Sequence, residues 1–284
     1  MEPGLYIVPT PIGNLADMTP RGLEVLSMVD VIAAEDTRHS GVLLRHFSID
    51  KPLVAYHDHA GELATEQLVA RLTGGESVAL ICDAGTPLIS DPGYRIVRAA
   101  QEAGHRVVPV PGPCAAVTAL SAAGLPSDRF WFEGFLPAKS GPRKNRLGAL
   151  RAQAGTLIFY EAPHRILEML EDAASVLGGQ REAALARELT KAFETIRRAS
   201  LLELAEWVAT DQNQQRGELV VLIGPAAPSG EQALSPEQQK WLSRLAQDLP
   251  PRKAAAIVGD MTGVKARDAY TWLLAQRQND NDAP

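Results

Sequence analysis

Cysteine is nearly absent from this chain: its 284 residues hold two, Cys82 and Cys114. So few, set far apart in apolar surroundings, build neither a disulfide framework nor a zinc site. Aromatic residues are sparse as well, at 5%. No apolar stretch approaches the roughly 20 residues a membrane helix needs. The opening MEPGLYIVPT has no basic start, no long apolar run and no cleavage site, which speaks against a secretory leader. These absences predict a protein of the reducing cytoplasm. Two common ligand loops are missing too. Gly13 stands alone in the first turn, so no Gly-x-Gly-x-x-Gly fingerprint opens the chain. No lysine follows a glycine-rich loop to grip phosphate. The net charge of −6 argues against wholesale binding of nucleic acid, without excluding a local basic surface. His57-Asp58-His59 offers two metal ligands but no third, so it reads as a polar loop after a strand, and no metal is expected.

What is present suits a soluble globular protein, with 45% hydrophobic and 22% charged residues and room for two domains plus a small third. Short apolar runs at 5–9, 31–34, 53–56, 78–82 and 107–110 read as strands buried on both faces. Helical patterns lie between them, with Thr19-Pro20 and Asp91-Pro92 as candidate helix starts. Residues 1–122 therefore predict an α/β domain with a mostly parallel sheet. Gly124 and Pro126 mark a linker, and 123–226 predict a second α/β domain, with strands near 130–135, 156–160, 183–186, 195–198 and 218–223. Its run Phe130-Trp131-Phe132 is expected in the core. A second linker at 224–230 precedes a helical domain, 227–284, that opens on the capping box Ser235-Pro-Glu-Gln238. Two short helices around Thr262-Gly263 match a helix-turn-helix in spacing, a pattern also common in plain bundles.

Three Gly/Pro-rich loops follow three of the first-domain strands: Pro9-Thr-Pro-Ile-Gly-Asn14, Asp83-Ala-Gly-Thr-Pro-Leu-Ile-Ser-Asp-Pro-Gly93 and Pro111-Gly-Pro-Cys-Ala-Ala116. One such loop is an ordinary helix-starting turn. Three at the carboxyl edge of one parallel sheet, where open α/β sheets bind ligands, predict a pocket for a compact molecule held by backbone and apolar walls. Three charged clusters at strand ends are candidates for chemistry. They are Glu35-Asp36-Thr37-Arg38, Arg187-Glu188-Leu-Thr-Lys191 and Glu161-Ala-Pro-His164-Arg165. Residues 138–151 carry Lys139, Arg143, Lys144, Arg146 and Arg151 with no acid, which fits either a solvated face or an anion-binding one.

The strings LYIVPTPIGNLADMTPRGLEVL, AAEDTRHSGVLL, CDAGTPLISDPGYRIV, VPVPGPCAAVTAL, EAPHRI and ARELTKAFET together resemble the tetrapyrrole-methylase superfamily. Within it they are most similar to the branch that 2′-O-methylates a cytidine in the decoding region of 16S rRNA. The resemblance spans residue 4 to about 224, and the helical tail looks like that branch's extra domain. It implies two α/β domains with a cleft for S-adenosylmethionine between them, a homodimer, and the 16S rRNA of the small ribosomal subunit as partner. Other members act on a small molecule or a protein, and a non-catalytic ribosome-binding factor is a further alternative. By position, the resemblance implies a cofactor site of Pro11, Gly13, Asp83, Gly85, Thr86, Pro87, Ile89, Cys114 and Ala115 from the first domain. The second contributes Tyr160, Glu161, Arg187, Gly217, Glu218 and Leu219. Thr86 stands where many relatives have aspartate, which removes a charged contact. A ribose hydroxyl is a poor nucleophile, so a base or a cation beside the oxygen would help. Asp36, Arg38, Glu188 and Lys191 are the candidates for that side. With an RNA acceptor, Lys139, Arg143, Lys144 and Arg146 become candidate phosphate contacts, and Arg252, Lys253, Lys265 and Arg267 extend that surface.

Overall fold

Alternate residues of the first five strands are apolar on both sides, and the fold buries both. In the computed structural model, which describes residues 1–57, 61–226 and 234–281, the strands are β1 (Gly4–Ile7), β2 (Val31–Ala34), β3 (Leu53–Ala55), β4 (Ser77–Ile81) and β5 (Val107–Pro109). They form a parallel sheet in the order β3-β2-β4-β1-β5. Helices α1 (Pro20–Met28), α2 (Thr37–His46), α3 (Gly61–Thr73) and α4 (Tyr94–Glu102) supply the crossovers, and α5 (Ala115–Ala122) leads into the second half. Leu5, Val31, Ala33, Val78 and Leu80 pack with Leu68, Leu72 and Ile96 on one face. Tyr6, Val8, Ile32, Ala34 and Ile81 pack with Val25, Leu26 and Leu44 on the other. Because β2, β4, β1 and β5 are parallel neighbours, the loops leaving their carboxyl ends share one rim.

The second half contains β6 (Phe130–Phe135), α6 (Ser140–Ala149), β7 (Thr156–Glu161), α7 (Ile166–Leu177), β8 (Glu182–Arg187), β9 (Thr195–Ser200), α8 (Leu201–Thr210) and β10 (Leu219–Ile223). Its sheet runs β6-β7-β10-β8-β9, parallel between β6 and β7 and antiparallel elsewhere. Leu157, Phe159, Leu185 and Val221 face α6, α7 and α8. Ile158, Ala184, Ala186, Val220 and Leu222 face the first half, packing on Ile12, Ala116, Ala119 and Leu120. The halves thus share a core and make one compact unit, Met1–Pro225. Ala226–Pro284 is a second unit. Its helices α9 (Pro236–Asp248), α10 (Pro251–Thr262) and α11 (Ala266–Asn281) enclose a core of Leu242, Ala255, Val258 and Leu273. The Ser235 capping box forms, and Gly263 ends α10 in the left-handed conformation.

Three expectations are corrected. Asp91 does not cap a helix: α4 starts three residues later, behind Gly93, whose φ of +140° only glycine adopts easily. Phe130 and Trp131 are half exposed rather than core, because β6 is the edge strand of its sheet and leaves one side uncovered; only Phe132 packs inward. Arg143 is fully buried. Its guanidinium donates to Asp172 at 2.7 Å and to Glu168 at 3.2 Å, tying α6 to α7, so it is unavailable to a phosphate. Of the histidine pair, His59 lies outside the described residues, as does the 227–230 part of the second linker.

Candidate active site

The three Gly/Pro-rich loops are stitched to one another. Thr10 and Gly85 exchange backbone hydrogen bonds of 2.8 and 3.0 Å, joining the loop after β1 to the loop after β4. The Thr86 hydroxyl donates to the Pro113 carbonyl at 2.7 Å, joining that loop to the one after β5. Gly85 adopts φ +83°, and an added Cβ would press to 3.3 Å from Ile12. From the second half, antiparallel pairing puts Leu219, at the start of β10, opposite both Glu161, at the end of β7, and Arg187, at the end of β8. Residues remote in sequence therefore meet at one point facing the first-half rim.

Between the two rims lies a cavity of about 440 Å³, inside the roughly 300–1,000 Å³ range of small-molecule sites. Ten of the expected cofactor residues line it: Asp83, Gly85, Thr86, Ile89, Ala115, Tyr160, Glu161, Gly217, Glu218 and Leu219. Pro11, Gly13, Pro87, Cys114 and Arg187 do not. Pro11 and Pro87 are buried behind the loops, which they stiffen. Cys114 sits beside the Tyr160 hydroxyl, and Arg187 donates to Gln214 and to the Phe193 carbonyl, bracing the loop after β8. Gly13 packs against the Lys191 stem, and a Cβ there would overlap it. Ile12, Ala84, Ser90, Asp91, Phe135, Ala162, Pro163, Leu189 and Val220 also line the cavity, without a ligand-contact signal in the sequence. Most are chain neighbours of the expected residues. Phe135 arrives by register instead, because parallel pairing sets it beside Tyr160.

The lining is charged with one sign only. Glu35, Asp83, Asp91, Glu161 and Glu218 contribute carboxylates, and among the described residues no lysine, arginine or histidine lines the cavity. Phe135 and Tyr160 meet edge-to-face at 5.8 Å and form an aromatic wall. Burial pushes the Tyr160 phenol far above its ordinary range, so it stays neutral, and its oxygen accepts from the Ala116 N–H at 3.2 Å. Burial also raises the Glu161 carboxyl, against the lowering effect of the Ala162 N–H (2.8 Å) and nearby Arg165. An acidic, partly apolar cavity repels phosphates and attracts a cation with an apolar body.

None of Asp36, Arg38, Glu188 and Lys191 lines the cavity. Asp36 caps α2 and pairs with Arg38 at 2.8 Å, which holds its carboxyl far below the usual range. Its neighbour Glu35 lines the cavity instead. Lys191 pairs with Glu188 at 2.8 Å and with the cavity residue Glu218 at 3.1 Å. Burial would raise Glu188, but Lys191 and the Glu218 N–H outweigh it and lower the carboxyl. Among the described residues five non-glycine positions have left-handed φ, and four of them, Leu88, Ser90, Glu188 and Thr190, sit in two loops bordering the cavity. Such strain collects where a surface is held in a working shape. On α6, Lys139, Lys144 and Arg146 are exposed, Lys144 pairing with Asp172 and Arg146 with Glu133.

Comparison with known proteins decides the family. The model of the Tetrapyrrole (Corrin/Porphyrin) Methylases matches residues 4–205. The chain belongs to that family. It is a methyltransferase that takes its methyl group from S-adenosylmethionine. A second model, the RsmI C-terminal HTH domain, matches residues 232–277. The methylase is 58% identical to the ribosomal RNA small subunit methyltransferase I of Pseudomonas aeruginosa, over 96% of its own length and 97% of that protein's. It is 55% identical to the protein of the same name from Escherichia coli O157:H7, over 96% and 95%. Among solved structures, diphthine synthase superposes with a TM-score of 0.60 at 16% identity, over 78% of this chain and 89% of that one. Uroporphyrin-III-C-methyltransferase from Thermus thermophilus gives 0.55 at 23%, over 78% and 94%. At those identities the structural likeness shows the fold. The residues present fit the cofactor, whose sulfonium and ammonium match the carboxylates and whose adenosine matches the Phe135–Tyr160 wall. No helix among the described residues is long and apolar enough to cross a membrane.

Proposed function

We propose that the methylase transfers a methyl group to the 2′-hydroxyl of a cytidine in the decoding region of 16S rRNA, using this cavity as its cofactor site. The carrying observation is a cavity lined by five carboxylates, and by no cation among the described residues, in a chain that matches small-subunit rRNA methyltransferases over nearly its whole length. Bound there, the cofactor supplies an electrophilic methyl group on a positive sulfur. The chain's residues position the cofactor, exclude water and align the acceptor oxygen. Asp83, Gly85, Thr86, Ile89 and Ala115 form one side of the site, and Tyr160, Glu161 and Gly217–Leu219 the other. Pro11, Gly13, Pro87, Cys114 and Arg187 support them from behind.

The acceptor enters where Lys191 and Arg38 stand. Glu188 and Asp36 are held below their ordinary range by those cations, so they are weak bases that keep the cations in place. Lys191 then stabilises charge developing on the acceptor oxygen. The hydroxyl proton would pass to solvent as the oxygen–carbon bond forms and the carbon–sulfur bond breaks, the sulfur leaving as a neutral thioether. Lys139, Lys144 and Arg146 contact phosphates beyond the acceptor. The substrate is in the cytoplasm, consistent with two unpaired cysteines, and the enzyme works as a homodimer, supported by half-exposed Phe130 and Trp131 on the edge strand β6. Light scattering tests the dimer, with a monomer mass counting against it. Incubating purified small subunits with tritiated methyl donor, then digesting the RNA, tests the reaction. Label in a 2′-O-methylcytidine is expected. Label in protein or on a base would refute the acceptor.

A further inference from the structure

The loop after β8 is built to hold one apolar side chain in water. Phe193 is 75% exposed, more than any other large hydrophobic residue described. The backbone that carries it is held by several bonds. Glu188 and Thr190 are fixed at φ +52° and +64°. Lys191 N–H donates back to the Glu188 carbonyl at 3.0 Å and Glu194 N–H to the Lys191 carbonyl at 3.1 Å, two consecutive tight turns. The Arg187 guanidinium donates to the Phe193 carbonyl at 3.0 Å, and Thr190 bridges to Asp17 of the first half. Leu189, in the same loop, lines the cavity, and Lys191 reaches the cavity residue Glu218 at 3.1 Å.

From this geometry we infer that Phe193 is a stacking platform for an unpaired base of the RNA segment that carries the acceptor nucleotide. The inference rests on the RNA reading above. A ribose hydroxyl reaches a methyl group recessed between the two halves most readily from an unstacked, single-stranded nucleotide, whose neighbouring base then lacks a stacking partner. An aromatic ring on a pinned backbone, in the loop whose Leu189 lines the cavity, can take that partner's place. Its π face accepts any base, so it contributes affinity and placement while sequence is read elsewhere.

The test compares Phe193→Ala, Phe193→Trp and Phe193→Leu with the native enzyme on purified small subunits. The Ala variant is expected to lose roughly tenfold to a hundredfold in kcat/KM, mainly through KM, the scale of one lost base stack. Cofactor Kd and oligomeric mass stay unchanged. Trp restores the rate and Leu, similar in bulk without a π face, does not. Native kinetics in the Ala variant, or a Leu variant as active as Trp, overturns the assignment. So does an Ala variant that turns monomeric and recovers at high protein concentration, which would make Phe193 a contact between copies. If the native enzyme leaves the RNA unlabelled while binding its cofactor, the acceptor reading itself fails and this inference with it.

Discussion

Glu161 shows how one buried side chain can couple cofactor binding to pH. Its carboxyl is raised by burial, so the empty site favours the protonated form above the ordinary value of 4.5. A cationic ligand favours the ionised form. Affinity for S-adenosylmethionine should therefore rise as pH climbs above that value, with proton release on binding. The stability effect has the opposite sign: a raised acid contributes stability at low pH that is lost as pH rises through its folded-state pKa. Calorimetry in buffers of different ionisation enthalpy reads the proton, and Glu161→Gln should flatten the profile; a native enzyme with no buffer dependence would contradict this. Gly85 makes the second residue-scale case. Gly85→Ala places a side chain at φ +83°, 3.3 Å from Ile12, in the backbone pairing that joins two cavity loops. Strain of about 1 kcal/mol or more is expected, with cofactor affinity weakened several-fold in a protein that still folds. Lys191→Met, by contrast, should leave cofactor Kd alone and lower kcat by roughly 100-fold, the scale of removing one donor to a developing negative charge. A kcat within twofold of native would remove Lys191 from the acceptor side.

At the scale of elements, α6 is where sequence and structure part most instructively. Its basic residues look alike in the sequence, but a ten-residue helix has one inner face, and position decides which cation it takes. Arg143 is on that face, between Asp172 and Glu168 of α7, while Lys144 and Arg146 look outward. Arg143→Ala strips the buried Asp172 of its main partner and should cost about 3 kcal/mol, read as a lower urea midpoint. Lys144→Ala should shift that midpoint little; equal losses would mean the network is not organised around Arg143. The central strands were legible because burial on both faces imposes continuous apolar runs, and Val31–Ala34 and Ser77–Ile81 are found as expected. The three-loop rim followed from parallel topology alone. What periodicity could not carry was which of two adjacent carboxylates faces inward. Glu35 lines the cavity because Asp36 is taken by the α2 cap, and Asp91 lines it because Gly93 rather than Asp91 precedes α4. The edge position of β6, which exposes Trp131, depends on strand order and leaves no mark in the strand's own sequence.

Over the whole molecule, the cavity and the helical tail fall on separate units. All the cavity residues belong to the unit Met1–Pro225, whose three apolar clusters and shared inter-domain core close without the helical tail. The tail encloses its own core, and its surface carries Arg252, Lys253, Lys265 and Arg267. An enzyme with net charge −6 gains little from general attraction to RNA, so its hold on a subunit must come from local patches that displace counterions. Two variants separate the roles. A chain ending at residue 226 should fold and bind S-adenosylmethionine with native affinity, yet methylate subunits far more slowly through a raised KM. The full chain with Lys139→Ala, Lys144→Ala and Arg146→Ala should keep both its fold and its cofactor affinity, while the slope of log K against log salt for subunit binding becomes shallower by up to about 2 to 3, about 0.7 to 0.9 for each phosphate no longer neutralised. If that slope is native, those three cations are solvated surface, and the tail must supply the phosphate contacts; the same measurement on the four tail cations would then show the larger change.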